Sequence, residues 1–153
     1  MSAEQRLVEL SIDLPSAPTP VASYVTVVQS GPFAFVSGQV ALDDGTPMWT
    51  GKLGAEVSVE HGADAARRCG LQILAALRSA LGSLDRVSRI VKVTVFVASA
   101  PGFTEQPKVA NGASDLFVEV FGDAGRHARA AVGVAELPLD APVEVDVVAE
   151  VTG

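Results

Sequence analysis

Arg129 is the residue whose neighbours in the sequence most strongly indicate a binding or catalytic role. It lies in the segment His127–Val134 and is followed by Ala130, Ala131 and Val132, so a permanently charged guanidinium enters an otherwise apolar strand. Its planar fork can hold a carboxylate with two hydrogen bonds, and a well-formed charge-assisted hydrogen bond contributes about 1.5–3 kcal/mol. The alternative is a structural salt bridge or a rim residue, and spacing alone leaves the two equally supported.

Glu144 is the second candidate. It lies on the last predicted strand, Val143–Val151, in which apolar and polar residues alternate. Asp146 and Glu150 share its face and are interpreted as a solvated polar surface. Glu144 would lie beside Arg129 if the last two strands of the chain pair with each other. A carboxylate in that position can orient or deprotonate a water molecule.

The remaining reactive side chains favour structural roles. Tyr24 is the single tyrosine and is typical of a packed strand aromatic, while Cys69 lies on the apolar stripe of a long helix and is expected to be an inert thiol. One cysteine excludes an intrachain disulfide and a cysteine-rich zinc site. The sequence contains no phosphate-binding glycine loop with a following lysine, no His-Glu-x-x-His and no Gly-x-Ser-x-Gly.

Composition restricts the class of protein. At 153 residues the chain fits one domain, with a short N-terminal extension over residues 1–13. Because 48% of the residues are hydrophobic and 19% are charged, the chain can bury a core without metal or disulfide support. A net charge of −7 with scattered basic residues argues against nucleic acid as the main partner. No signal-peptide pattern or membrane-spanning apolar run is present, so we expect no membrane partner and a cytoplasmic location.

The helices and strands that must position these residues are predicted from the spacing of apolar residues and from the capping and turn residues between them. Ser58 is a good N-cap for a long helix over Val59–Leu81, which Gly82 ends. A second helix is predicted over Ala110–Phe121, and a short, loosely attached one over Ala3–Leu10. The predicted strands are Tyr24–Val28, Phe33–Val36, weakly Met48–Thr50, Val87–Val97, Ala130–Val134 and Val143–Val151, with turns at Gly31-Pro32, Ser37-Gly38-Gln39 and Asp43-Asp44-Gly45.

This order of elements predicts a mixed sheet with both main helices packed on one face. The strand Val87–Val97 is apolar at most positions, with Val91, Val93, Val95 and Val97 assigned to one face and Ile90, Lys92, Thr94 and Phe96 to the other. The face without helices therefore needs a partner, because a large exposed apolar patch usually marks an interface. We expect a homo-oligomer.

The same residues carry a family resemblance. From about Leu14 to Val151, the chain resembles the Rid family of reactive-intermediate deaminases, also called the YjgF or L-PSP endoribonuclease-like family. The motifs that carry the resemblance are the proline-rich entry to Tyr24, Phe35-Val36-Ser37-Gly38-Gln39, Val91-Lys92-Val93-Thr94-Val95-Phe96-Val97, His127-Ala128-Arg129, Leu137-Pro138 and Val143-Glu144-Val145. Their order and spacing together are specific, although no single motif is decisive.

The resemblance implies a chorismate-mutase-like α/β (α+β) fold, a homotrimer, and active sites in the clefts between subunits. Family members hydrolyse 2-imino acids and their enamine tautomers to 2-keto acids and ammonia, without a metal or organic cofactor. The resemblance implies that Arg129 binds the substrate carboxylate and that Glu144 positions the attacking water. Tyr24 and the backbone at Gly38 line the pocket, and Ala131 contributes backbone contacts.

The chain also departs from the family pattern. The usual Pro-Ala-Arg is His127-Ala128-Arg129 here, and the Gly-Pro before the tyrosine is Ala22-Ser23. Ala131 replaces a cysteine often found near the arginine. The asparagine expected early in the second helix could be matched by Ser114 or by Asn111, one helical turn earlier. With the N-terminal extension and the long loop Ala100–Lys108, these changes indicate a divergent branch.

Three functions follow from these observations. The leading hypothesis is hydrolysis of 2-imino or 2-enamino acids. The second is a binding module for small carboxylates such as 2-keto acids, without turnover, which would use the same pocket. The third is ribonuclease or translation-inhibitor activity, a label attached to some relatives. The acidic chain disfavours it, because there is neither a basic stripe nor a stacking platform.

Overall fold

The helix α2, Val59–Leu81, has the bounds that its sequence predicts. In this computed structural model, which describes residues 1–20 and 22–153, the Ser58 hydroxyl accepts a hydrogen bond from the His61 backbone N–H. Gly82 ends the helix in the left-handed conformation at φ 86°, where glycine has no steric penalty. The face of α2 that includes Cys69, Ile73 and Leu77 is fully buried.

The helix α1, Ala3–Glu9, is anchored rather than loosely attached, and it ends one residue before the prediction. A capping box joins Ser2 to Gln5 at its start. Leu7 is buried, and the Glu4 carboxylate accepts a hydrogen bond from the backbone N–H of Leu84. These contacts stabilise the position of α1, because the helix both buries apolar surface and accepts a hydrogen bond from a backbone N–H of a distant segment.

The helix α3, Gln106–Phe121, begins four residues earlier than the predicted Ala110. Pro107 lies in its first turn, where a missing N–H breaks no helical hydrogen bond. The sequence prediction took Pro107 as part of a loop, and this was wrong. The added turn brings Asn111 well inside the helix.

A five-stranded sheet has the order β1-β2-β7-β5-β6, with a separate β3–β4 hairpin. The strands are β1 Val27–Ser30, β2 Phe33–Val40, β3 Leu42–Asp43, β4 Thr46–Pro47, β5 Val87–Ala98, β6 Ala128–Val134 and β7 Val143–Val151. β5 pairs parallel with β6, and the other pairs are antiparallel. The mixed sheet is as predicted.

Three strand predictions in the first third of the chain were wrong. The strand predicted over Tyr24–Val28 is β1, which starts at Val27, because the ladder with β2 ends where β2 shifts register between Val36 and Gln39. β2 runs through this bulge to Val40 instead of closing at Ser37-Gly38-Gln39. Met48–Thr50 is not a strand. The hairpin of β3 and β4 forms around the predicted Asp44-Gly45 turn instead.

The central strand β5 also contains an irregularity. Its register against β7 shifts between Ile90 and Lys92, so Ile90, not Val91, joins Val93, Val95 and Val97 on the buried face. The extra residue of a bulge moves every earlier side chain to the opposite face. The assignment of Ile90 to the other face was therefore wrong.

The core lies between the sheet and the two main helices. The alternate residues of β7, from Val143 to Val151, are buried against them. The opposite face of the sheet leaves large apolar side chains exposed, as the composition of β5 led us to expect. They include Val28 (49% exposed), Phe35 (41%) and Val132 (42%). Within the described residues, no helix is long and apolar enough to cross a membrane.

Candidate functional site

Arg129 lies near the start of the edge strand β6. It pairs with Val93 of β5, and because paired residues project to the same side of a sheet, its side chain leaves on the face that the helices cover. The guanidinium reaches the N-terminal half of α3. The parallel pairing of β6 with β5 determines this position, and the early start of α3 adds the Pro107 carbonyl oxygen to the surroundings of the guanidinium.

The guanidinium of Arg129 is held by neutral acceptors. Nη1 donates to Asn111 Oδ1 at 2.8 Å and to Ser114 Oγ at 3.1 Å, and Nη2 donates to the Pro107 carbonyl oxygen at 3.5 Å. These contacts use three of the five N–H donors of an arginine, which leaves two. Both Asn111 and Ser114, the two alternatives for the asparagine of the family, therefore contact Arg129.

No carboxylate of the residues that the structure describes forms a salt bridge with Arg129. The structural salt bridge considered from the sequence is thus not its role within the chain. A partly exposed guanidinium with an uncompensated charge and two available donors can bind an anion, and its planar geometry suits a carboxylate.

Glu144 is the first of the polar residues of β7, on the face away from the helices. It pairs with Phe96 and with Val40. Burial raises the pKa of the Glu144 carboxyl above its ordinary value, and the negative charge of Asp146 raises it further. A carboxylate that is desolvated and holds its proton more tightly than usual is a better base than an exposed one.

Gly38 provides the space in which the Glu144 carboxyl lies. A Cβ atom built at Gly38 would be 2.5 Å from Oε2 and 3.0 Å from Cδ of Glu144, closer than non-bonded atoms approach. Gly38 belongs to the bulge of β2. The bulge and the missing side chain together let the carboxyl of one strand lie over the backbone of the next.

The other predicted site residues lie apart from these two groups. Tyr24 precedes β1 and is 48% exposed, so it is not a packed strand aromatic. Ala131 shares the helix-covered face with Arg129 and packs against the core. Cys69 is fully buried, and burial raises the pKa of its thiol, consistent with an inert thiol.

Arg129 and Glu144 do not converge within one chain. β5 lies between β6 and β7, so the last two strands do not pair, and the prediction that depended on their pairing was wrong. Glu144 and Arg129 also leave opposite faces of the sheet, about 10 Å apart across the strands and about 10 Å along them. Any site that uses both residues requires a second copy of the chain.

His127 is a contributor that the sequence did not identify as functional. Its Nε2 lies 2.9 Å from Ser114 Oγ, and its Nδ1 lies 2.7 Å from the Gly125 carbonyl oxygen. From the sequence, His127 was noted only because it replaces the proline that the family usually has at this position. The available signal was the alternation that places His127, directly before β6, on the same side of the chain as Arg129 and Ala131.

A cavity of 600 Å³ lies elsewhere, between the segment after α1 and the β3–β4 hairpin. Arg68 and Gln72 of α2 line it, with Leu14 and Asp43. Both α2 side chains hydrogen bond to backbone atoms of Leu42, with Arg68 Nε donating to its carbonyl oxygen and Gln72 Oε1 accepting from its N–H. These bonds attach the hairpin to the helix, which is a structural role.

Comparison with known proteins identifies the family. The sequence model of the family described as Endoribonuclease L-PSP matches residues 14–151. The chain belongs to this family. The resemblance to Rid and YjgF proteins is thereby confirmed. The expected fold is also confirmed, because crystal structures of related proteins superpose on this chain.

Among these L-PSP relatives, Protein TCP17 of Trypanosoma cruzi is 54% identical over 145 residues, which are 94% of this chain and 91% of that protein. The 2-iminobutanoate/2-iminopropanoate deaminase of Dermatophagoides farinae is 30% identical over 136 residues, 88% of this chain and 91% of that protein. The crystal structure of Atu1372 from Agrobacterium tumefaciens superposes with a TM-score of 0.90 at 45% identity and covers 98% of this chain and 92% of that one.

A further L-PSP-type neighbour is TdcF of Escherichia coli, whose crystal structure contains bound serine. It superposes with a TM-score of 0.62 at 28% identity, over 89% of this chain and 94% of that one. The family therefore includes a protein named as an imine deaminase and one with a small amino acid bound.

Proposed function

We propose that this protein hydrolyses 2-imino acids, and their enamine tautomers, to 2-keto acids and ammonia. The uncompensated guanidinium of Arg129 carries the proposal, since it offers two free donors to a substrate carboxylate. The name of the Dermatophagoides farinae relative and the serine bound to TdcF support the same substrate class.

The chemistry needs a positioned water and one base. Water adds to the electrophilic imine carbon as a base takes one of its protons, and the base returns that proton to the nitrogen. As the C–N bond of the tetrahedral intermediate breaks, the hydroxyl proton moves to the departing nitrogen, which gives ammonia and the 2-keto acid. Glu144 is the proposed base, because its raised pKa brings it closer to the range in which a carboxylate can accept and return a proton. Orientation of the substrate by Arg129 supplies much of the remaining rate acceleration, because a reaction between a bound substrate and a positioned water becomes effectively unimolecular.

The proposed site is assembled between copies of the chain, in a homotrimer. Two observations support assembly from several copies: the opposite directions of Arg129 and Glu144, and the exposed apolar side chains on the sheet face that carries Glu144, which include Phe35 of β2 and Val132 of β6. Tyr24 is exposed at the end of the sheet, where it is free to enter the cleft of a neighbouring copy. Ala131 keeps its proposed role as a source of backbone contacts.

A coupled assay tests the proposal. An amino-acid oxidase or a threonine dehydratase generates the imine, and the rate of 2-keto acid release is followed with and without this protein. We expect faster release in its presence. Binding of pyruvate without any acceleration would favour the carboxylate-binding module instead.

A change at Gly38 should affect activity through Glu144. In Gly38→Ala the new methyl group displaces the Glu144 carboxyl, whose flexible end moves at little cost in stability. Because a misplacement of about 1 Å can cost about 10²-fold in rate, we expect a loss of that order in kcat. Steady-state kinetics and thermal unfolding measure both effects. In a Glu144→Ala background, Gly38→Ala should have no further effect, and a further loss there would contradict this role.

The pH profile should report the raised pKa of Glu144. The group acts as a carboxylate, so kcat/KM falls as the pH drops through its pKa, at a higher pH than for an ordinary glutamate. Asp146→Asn removes a negative neighbour, which lowers the pKa of Glu144 and moves the acid limb to lower pH. Glu150→Gln, farther along the same face of β7, should leave the limb in place. An acid limb unmoved by Asp146→Asn would exclude Glu144 as its source.

A further inference from the structure

His127 lies directly before β6, and its ring makes one hydrogen bond to α3 and one to the turn Gly122–Gly125 that follows α3. One ring nitrogen, Nδ1, lies 2.7 Å from the Gly125 carbonyl oxygen, and the other, Nε2, lies 2.9 Å from Ser114 Oγ. The ring also packs edge-to-face on Phe117, with ring centroids 6.0 Å apart and an interplanar angle of 83°. Both nitrogens of the imidazole are therefore bonded, and its ring packs on Phe117.

The direction of each hydrogen bond follows from the chemistry of its partners. A carbonyl oxygen only accepts, so His127 Nδ1 carries the hydrogen that Gly125 receives. In the neutral ring Nε2 then has a lone pair, and the Ser114 hydroxyl donates to it. The oxygen lone pairs of Ser114 consequently face the Nη1 donor of Arg129, 3.1 Å away.

The surroundings favour the neutral ring. Burial lowers the pKa of His127, and the charge of Arg129 lowers it further, while the hydrogen bond to Gly125 acts in the opposite direction. The other charged groups on the elements next to it are Lys108, Asp115 and Glu119 on α3, Asp123 and Arg126 in the turn before β6, and Arg89 and Lys92 on β5. Glu119 is paired with Arg67, and Asp123 with Arg126.

Gly125 fixes the far end of this chain of bonds. It is buried, and a Cβ atom there would overlap the Phe117 carbonyl oxygen. The Gly125 carbonyl, which accepts the hydrogen bond from Nδ1, is therefore held against α3 by backbone packing. It contacts the His127 ring, the ring contacts the Ser114 hydroxyl, and that hydroxyl contacts the Arg129 guanidinium.

We propose that His127 is a positioning residue for Arg129. As the Nδ1–H tautomer it orients the Ser114 hydroxyl, which then fixes the guanidinium so that its two remaining donors present a preformed edge to a carboxylate. The carboxylate part of this inference rests on the proposed function, whereas the hydrogen-bond chain exists without a ligand.

A double-mutant cycle tests the coupling. His127→Phe keeps an aromatic ring on Phe117 but removes both nitrogens, and we expect the Kd for pyruvate and the KM for imine to rise roughly 3- to 10-fold, with kcat changed less. His127→Gln restores an acceptor for Ser114 and should recover most of the affinity. In a Ser114→Ala background, His127→Phe should have no further effect. Equal losses in both backgrounds would overturn the proposal.

Nuclear magnetic resonance of the ligand-free protein tests the chain of bonds directly. At pH 7 the ¹⁵N shifts of the His127 ring should report a neutral ring protonated at Nδ1, with His61 as the only other histidine signal. The Nη resonances of Arg129, assigned from their loss in Arg129→Lys, should show slow rotation that becomes faster in His127→Phe. An Nε2–H tautomer or an imidazolium would overturn the proposal. Absence of pyruvate binding to the wild type, with these signals as expected, would count against the proposed function and leave the positioning intact.

Discussion

Arg129→Ala should lower kcat/KM for 2-imino acids by about 10²- to 10⁴-fold. Two charge-assisted hydrogen bonds to the carboxylate are lost, each contributing about 1.5–3 kcal/mol, and each 1.4 kcal/mol corresponds to a tenfold change. The fold should survive, because Arg129 makes no salt bridge with the described residues and its acceptor Asn111 is exposed to water. The coupled assay gives the rate, and thermal unfolding verifies the fold.

Two further variants make this prediction specific. Arg129→Lys keeps the charge but offers no planar pair of donors, so it should still lose about 10- to 100-fold, the contribution of one such bond. Arg126→Ala removes a neighbouring arginine that is paired only with the exposed Asp123, and it should retain full activity. Equal activities of wild type and Arg129→Ala would refute the role of Arg129 as the carboxylate anchor.

Gly112→Ala should have the largest effect on stability. Gly112 lies where α3 crosses α2, and a Cβ atom there would overlap the carbonyl oxygen of Ala63. Neither helix backbone can move aside without disturbing the core between them. We expect a net loss of about 1–3 kcal/mol, although alanine has a helix propensity about 1 kcal/mol better than glycine. The melting temperature should fall by roughly 3–10 °C.

Gly70→Ala is the matched control for Gly112→Ala. Gly70 is also a helical glycine at the contact of α2 with α3, but its added methyl group would meet Leu116 Cδ2 at 2.9 Å, the end of a flexible side chain. We expect a change within about 1 kcal/mol, since a side chain can rotate where a backbone cannot. Similar losses in the two variants would show that the backbone contact at Ala63 is not the cause. Gly112→Ala should also reduce activity, because Asn111, next in the chain, holds Arg129.

Local signals in the sequence were sufficient for some elements. The bounds of α2 follow from the Ser58 cap, the apolar period of the helix and Gly82, and those of β7 follow from strict alternation. In both cases the deciding interactions lie within a few residues of each other. Arg129 stood out because it is a charge among apolar strand residues, whereas Glu144 was chosen from an expected pairing of the last two strands that the sheet does not contain.

The remaining features depend on contacts between distant segments. That β5 lies between β6 and β7 is a property of strand order, which chain order does not determine. The bulges in β2 and β5 each add one residue to a ladder, and no local motif marks either. The link from His127 through Ser114 to Arg129 depends on the packing of α3 beside the start of β6, a contact between distant segments that has no local signal in the sequence.

The opposite directions of Arg129 and Glu144 make the proposed activity a property of the assembly and not of the folded chain. Mass action then governs the rate per chain, since folded subunits that separate on dilution carry only half of each site. Substitutions on the exposed sheet face, at Phe35 for example, would alter turnover without approaching either residue. In cells, the abundance of the protein would thus set the fraction of chains that are active as well as their number.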